Sequence, residues 1–278
     1  MDLAHNVPVL MYHHLSDRPG SLSVTARQFE SQIRGLAARG YRSLKSEEFA
    51  AFMAGTAPLP KKTVLITFDD GYLDNWVYGH PVLERYGFSA ILFAITGLIG
   101  HGAPRPHAGE SAPLPPCLPH RQAKEAMFGE GRDAVMLRWS EIQHMVRAGT
   151  FEIHSHTHTH TRWDLQCRVP GEKNERIEED LASSREVLAA QVGTASSHLC
   201  WPQGYFDEEY VRVAQRLGFR HLYTTDARGQ NVPAGDVGHI YRFAVRNRSY
   251  AWLGQRIWLA THPTWGPLYN AWKKRNSR

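Results

Sequence analysis

The sequence predicts an α/β protein built on a mostly parallel sheet with crossover helices. Short apolar runs without polar alternation, such as Val64 to Phe68 and Ser89 to Thr96, read as strands covered on both faces. Segments with helical spacing of apolar residues separate these runs almost throughout, the pattern of repeated strand–helix–strand units. Polar groups able to do chemistry follow the runs, at the carboxyl ends where a closed parallel sheet carries its functional loops. At 278 residues and 31.5 kDa the chain fits one domain of α/β-barrel size or two smaller ones, and it contains no internal repeat.

Val7 to His13 is the first strand candidate and ends in His13 and His14. Thr25 forms a capping box with Gln28 and opens a helix on which Phe29, Ile33 and Leu36 share a face until Gly40 stops it. Ser46 caps a second, short helix through Phe49 and Met53, and residues 57–62 turn the chain into the strand that starts at Thr63. A helix carrying Trp76, Val77, Val82 and Leu83 is expected after Gly71, followed by the strand Ser89 to Thr96. Pro and Gly then dominate from Gly100 to Pro119, and periodicity returns only at Leu137. This insertion, at about 100–136, is too long for an ordinary connection; it is read as a lid over a site, with disorder as the alternative.

Ser140 is expected to cap a helix through Ile142, Met145 and Val146 that Gly149 closes, with a histidine-bearing strand immediately after it. Asn174 to Val192 reads as a long amphipathic helix with Ile177, Leu181 and Leu188 on one stripe. His198 to Gly204 is a short strand and turn, Asp207 to Leu217 a helix, and Arg220 to Thr225 a strand. His239 to Val245 is the last expected strand and Tyr250 to Ala260 the last expected helix.

The chain is organised around Thr63 to Gly71, where the apolar run delivers two adjacent carboxylates. Side chains alternate along a strand, so Asp69 and Asp70 serve one site only if the alternation breaks there, and Gly71 permits a break. Alone, such a pair can equally be a helix N-cap and its first-turn companion. The second tract, Phe151 to His160, sets four histidines at alternate positions, 154, 156, 158 and 160, and neutral imidazole is the commonest protein ligand for transition metals. On an extended strand all four would share a face, whereas on a helix or tight turn His156/His160 and His154/His158 would part.

Cys117, Cys167 and Cys200 are too few and too unevenly spaced for a disulfide framework or a Cys-rich zinc site, so a metal would rest on His and carboxylate. No P-loop or dinucleotide fingerprint is present, and aromatic and basic residues do not interleave as in nucleic-acid binders. The net charge of +5 permits weak attraction to anions and establishes no partner.

Thr67-Phe68-Asp69-Asp70-Gly71, followed by His156-Thr157-His158-Thr159-His160, resembles the T-F-D-D-G and H-[ST]-x-x-H motifs of the polysaccharide deacetylases, the NodB-homology or carbohydrate esterase family 4 domain. The likeness extends from about the first strand to the last. It implies a distorted (β/α) barrel of about seven parallel strands in a single domain over 1–278, and hydrolysis of N-acetyl groups on an N-acetylhexosamine polysaccharide or glycolipid. It assigns Asp69 as general base and Asp70, His156 and His160 as ligands of a divalent metal, leaving His154 and His158 in supporting or structural roles. Zinc suits this donor set best, and nickel, cobalt, iron or manganese also fit.

The family's R-x-P-x-G motif is only partly matched by Cys200-Trp201-Pro202-Gln203-Gly204. Pro202 and Gly204 match, so the turn can aim the Gln203 backbone N–H at a developing oxyanion, while Trp201 and Tyr205 either pack or stack on sugar. Cys200 stands where the motif has arginine, which leaves the orientation of Asp69 to another group, Arg242 on the last strand being the candidate. The family's L-x-H element is matched best at the amino end, Leu10-Met11-Tyr12-His13, as in the circularly permuted branch that deacetylates poly-N-acetylglucosamine. His13 is therefore the candidate general acid, with His14 and His262 as runners-up. An amidohydrolase or deformylase of a small amide or lipid-linked sugar, and a catalytically silent carbohydrate-binding homologue, are the rival readings.

The expected partner is a carbohydrate, with no nucleic acid and no fixed oligomeric state. The amino terminus carries no visible signal peptide, so the expected location is cytoplasmic. The basic end, Trp272-Lys273-Lys274-Arg275, with Trp258 and Trp265 upstream, leaves weak peripheral membrane contact open beside a plain solvated terminus.

Overall fold

The computed structural model describes residues 2–169 and 171–275, so the expected span 1–278 runs past the described residues. Eight strands, all paired in parallel, form one sheet: β1 (Val9–Tyr12), β2 (Arg42–Ser43), β3 (Thr63–Asp70), β4 (Ala90–Ala94), β5 (Phe151–Ser155), β6 (His198–Cys200), β7 (His221–Tyr223) and β8 (Phe243–Ala244). Seven of them follow the order β7-β6-β5-β4-β3-β1-β8, and β2 pairs only with the start of β3. The sheet curls into a half-barrel, and β7 at one end is joined to the segment just before β8 by a bridge between Tyr223 and Ile240 and by backbone bonds between Thr224 and Ile240 and between Leu222 and Ile240. The last strand is shorter than expected, Phe243–Ala244 instead of His239 to Val245.

β1 lies between β3 and β8, with Leu10 opposite both Ile66 and Phe243. The first and last strands are thus neighbours, and the residues after β1, β3, β5 and β6 emerge at one end of the sheet. Both faces of β3 are buried along its whole length, as its unalternating apolar run requires. One face, with Ile66 and Phe68, packs on helical residues such as Phe29, Ile33 and Ile142; the other, with Leu65, joins Val9, Ile91, Phe93 and Tyr223.

The helices are α1 (Ala26–Ala38), α2 (Ser46–Met53), α3 (His80–Tyr86), α4 (His120–Ala126), α5 (Arg132–Val135), α6 (Trp139–Arg147), α7 (Trp163–Gln166), α8 (Glu172–Val192), α9 (Glu208–Arg216), α10 (Tyr250–Thr261) and α11 (Trp265–Arg275). Among the described residues no helix is long and apolar enough to cross a membrane. Several starts differ from expectation because tertiary partners capture the terminal groups. Only half of the expected capping box at Thr25 forms: its Oγ1 accepts from Gln28 N–H at 3.3 Å, while its own N–H donates to Asn247 Oδ1 at 2.9 Å. Lys45, not Ser46, occupies the N-cap of α2, since Ser46 N–H donates to the Glu152 carboxylate at 2.6 Å. Likewise Arg138, not Ser140, precedes α6; Glu141 accepts from Arg138 N–H at 2.8 Å, and the Ser140 hydroxyl donates to Gly102 O at 2.7 Å. α8 begins at Glu172, ahead of Asn174, and α11 follows the helix expected to be last.

A π-helical turn, Asn75–Gly79, leads into α3 and buries His80, whose ring stacks on Trp76 at 5.0 Å and whose Nδ1 lies 2.8 Å from Thr150 Oγ1. Burial, helped by nearby His107 and His144, lowers the His80 pKa from 6.5 to about 4. The unfolded chain then binds a proton that the folded one resists, so the contribution of His80 is complete above pH 6.5 and is lost as pH falls toward 4. The loss amounts to about 3 kcal/mol at ~1.4 kcal/mol per pKa unit. Urea denaturation of His80→Gln should show a flatter acid limb over that interval; an unchanged limb would refute the assignment.

The insertion folds against the sheet's carboxyl end. Arg105 pins it through the buried carboxylate of Glu141, at 2.7 and 2.8 Å, and through the carbonyls of Met136, at 2.8 Å, and Asp133. Its α4 and the residues just after it stand beside the cavity at the mouth of β3.

Candidate active site

The alternation along β3 breaks one residue earlier than Gly71, because Asp70 itself takes φ +77° and Gly71 follows at +92°. This turns the second carboxylate into the cavity that Asp69 already faces, and both are buried. Arg242 grips Asp69 with a bidentate pair, Nη1–Oδ1 2.7 Å and Nη2–Oδ2 2.8 Å. The remaining donors of the guanidinium reach Thr224 O at 2.8 Å, Thr67 Oγ1 at 3.1 Å and Cys200 Sγ at 2.9 Å. The group that orients Asp69 therefore comes from just before β8, while the thiol in the motif arginine's place fills the space beside it.

Burial pushes the Asp69 carboxyl up, but Arg242 and His13 outweigh it and hold the group below the usual carboxylate range. At Asp70 the same burial is overcome chiefly by the hydrogen bond from His156, which again lowers the pKa. Both acids are ionised at neutral pH.

The histidine tract is a strand only as far as Ser155; Thr157 at φ +64° and His160 at +60° fold the rest into a turn, so the four histidines do not share one face. Nε2 of His156 lies 3.3 Å, and Nε2 of His160 3.7 Å, from Asp70 Oδ1, with the rings 4.9 Å apart. His154 turns away to Ser196 Oγ at 2.8 Å, and His158 Nδ1 meets Thr96 Oγ1 at 3.0 Å. Asp180 on α8, which nothing in the sequence singled out except an acid beside the Ile177/Leu181 stripe, holds the turn. Its carboxylate accepts from Thr159 N–H at 2.9 Å, Thr159 Oγ1 at 2.6 Å and Trp163 Nε1 at 2.9 Å.

The donor set fits a divalent transition metal. Ligand atoms of Asp70, His156 and His160 all lie within 4.8 Å of one another. His156 Nδ1 donates to the Cys200 carbonyl at 2.8 Å, which aims Nε2 at Asp70; burial is outweighed by Cys200 and Asp70, which raise the ring's pKa, and a bound cation would take the place of the proton on Nε2. Burial, reinforced by His156, lowers the His160 pKa to about 4, so that ring is neutral at pH 7. Asp69, His156 and Cys200 are as close together, but the Arg242 guanidinium contacts both Asp69 and Cys200 and repels a cation there.

His13 Nε2 faces Asp69 Oδ2 at 3.7 Å, and burial lowers its pKa against the pull of Asp69 and Asp70. Neither runner-up joins it. His14 is buried against Asp74 Oδ2 at 2.7 Å, and His262 caps α11, its Nδ1 accepting from Trp265 N–H at 3.1 Å. The cavity, about 110 Å³, brings together His13, Asp69, Asp70, His156 and His160 with Trp201 and Gln203. Pro202 and Gly204 do not line it: Pro202 is buried, and Gly204 lines a neighbouring cavity. The insertion, read from the sequence as a lid over a site, supplies one wall of the cavity with His120, Lys124, Met127 and Phe128; sequence reasoning did not single out Lys124, Met127 or Phe128, which carry no periodic or motif signal.

Gly204 takes φ +71°, and a Cβ there would stand 2.1 Å from Thr225 Oγ1. Gly204→Ala is expected to cost more than about 1 kcal/mol, read as a lowered urea midpoint at unchanged slope.

A family model described as polysaccharide deacetylase matches residues 56–222. Over 220 residues the chain is 27% identical to YxkH of Bacillus subtilis, covering 79% of this chain and 64% of that relative's length. It is 23% identical over 238 residues to the poly-β-1,6-N-acetyl-D-glucosamine N-deacetylase of Staphylococcus aureus, covering 84% and 71%. In fold it is similar to IcaB from Ammonifex degensii (TM-score 0.72, 24% identity, 91% of this chain and 97% of that one). The Streptococcus pyogenes deacetylase PplD gives a TM-score of 0.71 at 22% identity, covering 91% and 99%. With more than half of its length matched, and with both motifs meeting in one cavity, the chain belongs to the polysaccharide deacetylase family.

Proposed function

We propose that this chain hydrolyses the acetamide of an N-acetylhexosamine polymer, releasing acetate and leaving a free amine on the sugar. The observation that carries this reading is the convergence of Asp70, His156 and His160 beside a second, ionised acid that stays free of the ligand set. The S. aureus relative's name, and the placement of Leu10 to His13 ahead of the Thr67 to Gly71 motif, support poly-N-acetylglucosamine as the polymer.

Asp70, His156 and His160 would hold a divalent cation, which supplies polarisation of the acyl carbonyl and a lowered pKa for water. Asp69, fixed by Arg242, accepts the proton of the attacking water as its oxygen bonds to the acyl carbon. Gln203 lines the cavity, and its backbone N–H is the candidate donor to the oxyanion. As the C–N bond breaks, His13 gives a proton to the departing nitrogen and is recharged by the proton that Asp69, 3.7 Å away, took from water. Asp69 and His13 both line the cavity, so the two proton transfers take place at one acyl group.

The test is acetate release from β-1,6-linked N-acetylglucosamine oligomers after reconstitution with zinc, nickel, cobalt, iron or manganese. Wild-type protein is expected to release acetate, and Asp69→Asn to lower kcat by about 10²–10⁴ while keeping its metal. No acetate with any of these cations would overturn the reading.

A further inference from the structure

Next to the reactive cavity lies a larger one, about 630 Å³, that the proposed chemistry does not use. The two share Thr225 as a dividing wall, against which the Gly204 turn packs so closely that no side chain fits there. The reactive cavity, at about 110 Å³, has room for little beyond an acetamido group, so the rest of a bound saccharide must leave it along the surface. The larger cavity has the size of small-molecule sites, ~300–1,000 Å³.

Its lining mixes two aromatic rings, Phe206 and Trp272, with the polar groups of Thr224, Asp226, Arg228 and His239. A pyranose has the same dual character, an apolar C–H face and a rim of hydroxyls. Trp272 is 59% exposed, which leaves a large ring in water at the edge of a cavity. Tyr269 stacks on it at 6.0 Å and is itself covered by the Arg256 guanidinium at 5.2 Å, so the indole face is backed. The polar rim is preorganised as well: Arg228 donates Nε to Asp226 Oδ1 at 2.8 Å, and His239 Nε2 faces the other oxygen of the same carboxylate at 3.6 Å. Phe206 is held from behind by Trp201, at 5.9 Å, which also lines the reactive cavity.

We propose that this second cavity is a saccharide subsite holding the sugar next to the one deacetylated, with Trp272 as its stacking platform. It deepens the reading above and rests on it for the identity of the ligand. It makes the protein selective for oligomers over single sugars.

Isothermal titration of cation-loaded Asp69→Asn with β-1,6-linked N-acetylglucosamine, from monosaccharide to tetramer, measures this directly. Affinity should rise with length. Adding Trp272→Ala should weaken the tetramer by about two- to tenfold, as for loss of one aromatic contact, and the monosaccharide by less; Trp272→Tyr should restore most of the loss. Trp265→Ala, 57% exposed but lining neither cavity, is the control expected to leave the series unchanged. Equal weakening at every length, an unchanged tetramer affinity, or no binding overturns the subsite. A Trp272-dependent length series in a protein whose wild type releases no acetate would sink the proposed reaction and keep the subsite. Acetate release with no such dependence would do the reverse.

Discussion

Arg242→Ala is expected to abolish measurable acetate release and to destabilise the fold by about 3–5 kcal/mol, the usual cost of orphaning one partner of a buried ion pair. Arg242 and Asp69 are both buried, and the guanidinium satisfies both carboxylate oxygens, the Thr224 carbonyl and the Thr67 hydroxyl. Without it the largest offset to the desolvation of Asp69 is gone and only His13 and His156 remain, so the carboxyl's pKa rises and it becomes a poorer base without its orienting partner. Arg242→Lys should rescue stability in part and activity poorly, because an ammonium cannot reproduce the fork. Urea denaturation and kcat, measured on the same samples, check both effects. Retained kcat in Arg242→Ala would show that Asp69 is oriented by something else.

His156→Ala is expected to weaken metal binding by more than about 100-fold, beyond the 10–100-fold typical of losing a mere supporting contact. Metal content after dialysis reads this, and thermal stabilisation by added zinc checks it independently. His160→Ala should behave alike, whereas His154→Ala and His158→Ala should keep the metal, since those rings turn to Ser196 and Thr96. Cys200→Ser should keep it too. Loss of metal in Cys200→Ser, with retention in His160→Ala, would move the cation to the Asp69, His156 and Cys200 group instead.

Much of this site could be read from local pattern. An apolar run ending in two acids locates the carboxyl end of a strand, and the histidine spacing offers a pair to a metal, because both signals lie within a few residues. Arg242 could be suspected only by elimination, once Cys200 was seen in the arginine's place. Asp180, the aromatic and basic wall around α4, and the true caps at Lys45 and Arg138 could not be found this way. Each depends on a partner distant in sequence, such as Glu152 for the Ser46 N–H or Asp180 for the turn at Thr159.

The sequence by itself determined the class of fold, the strand that carries the acids and the residue types available for chemistry, since hydrophobic periodicity and motif spacing are local properties of the chain. Only the tertiary structure decided which of several like residues meet. The positive φ at Asp70, Thr157 and His160 selects two histidines from four and brings the second acid to the side of the first. The insertion of β1 between β3 and β8 sets His13 beside Asp69, and Arg242, 173 residues further along the chain than Asp69, closes on the same carboxylate. Such choices rest on backbone conformation and on strand order across the whole sheet, which no short window of residues encodes.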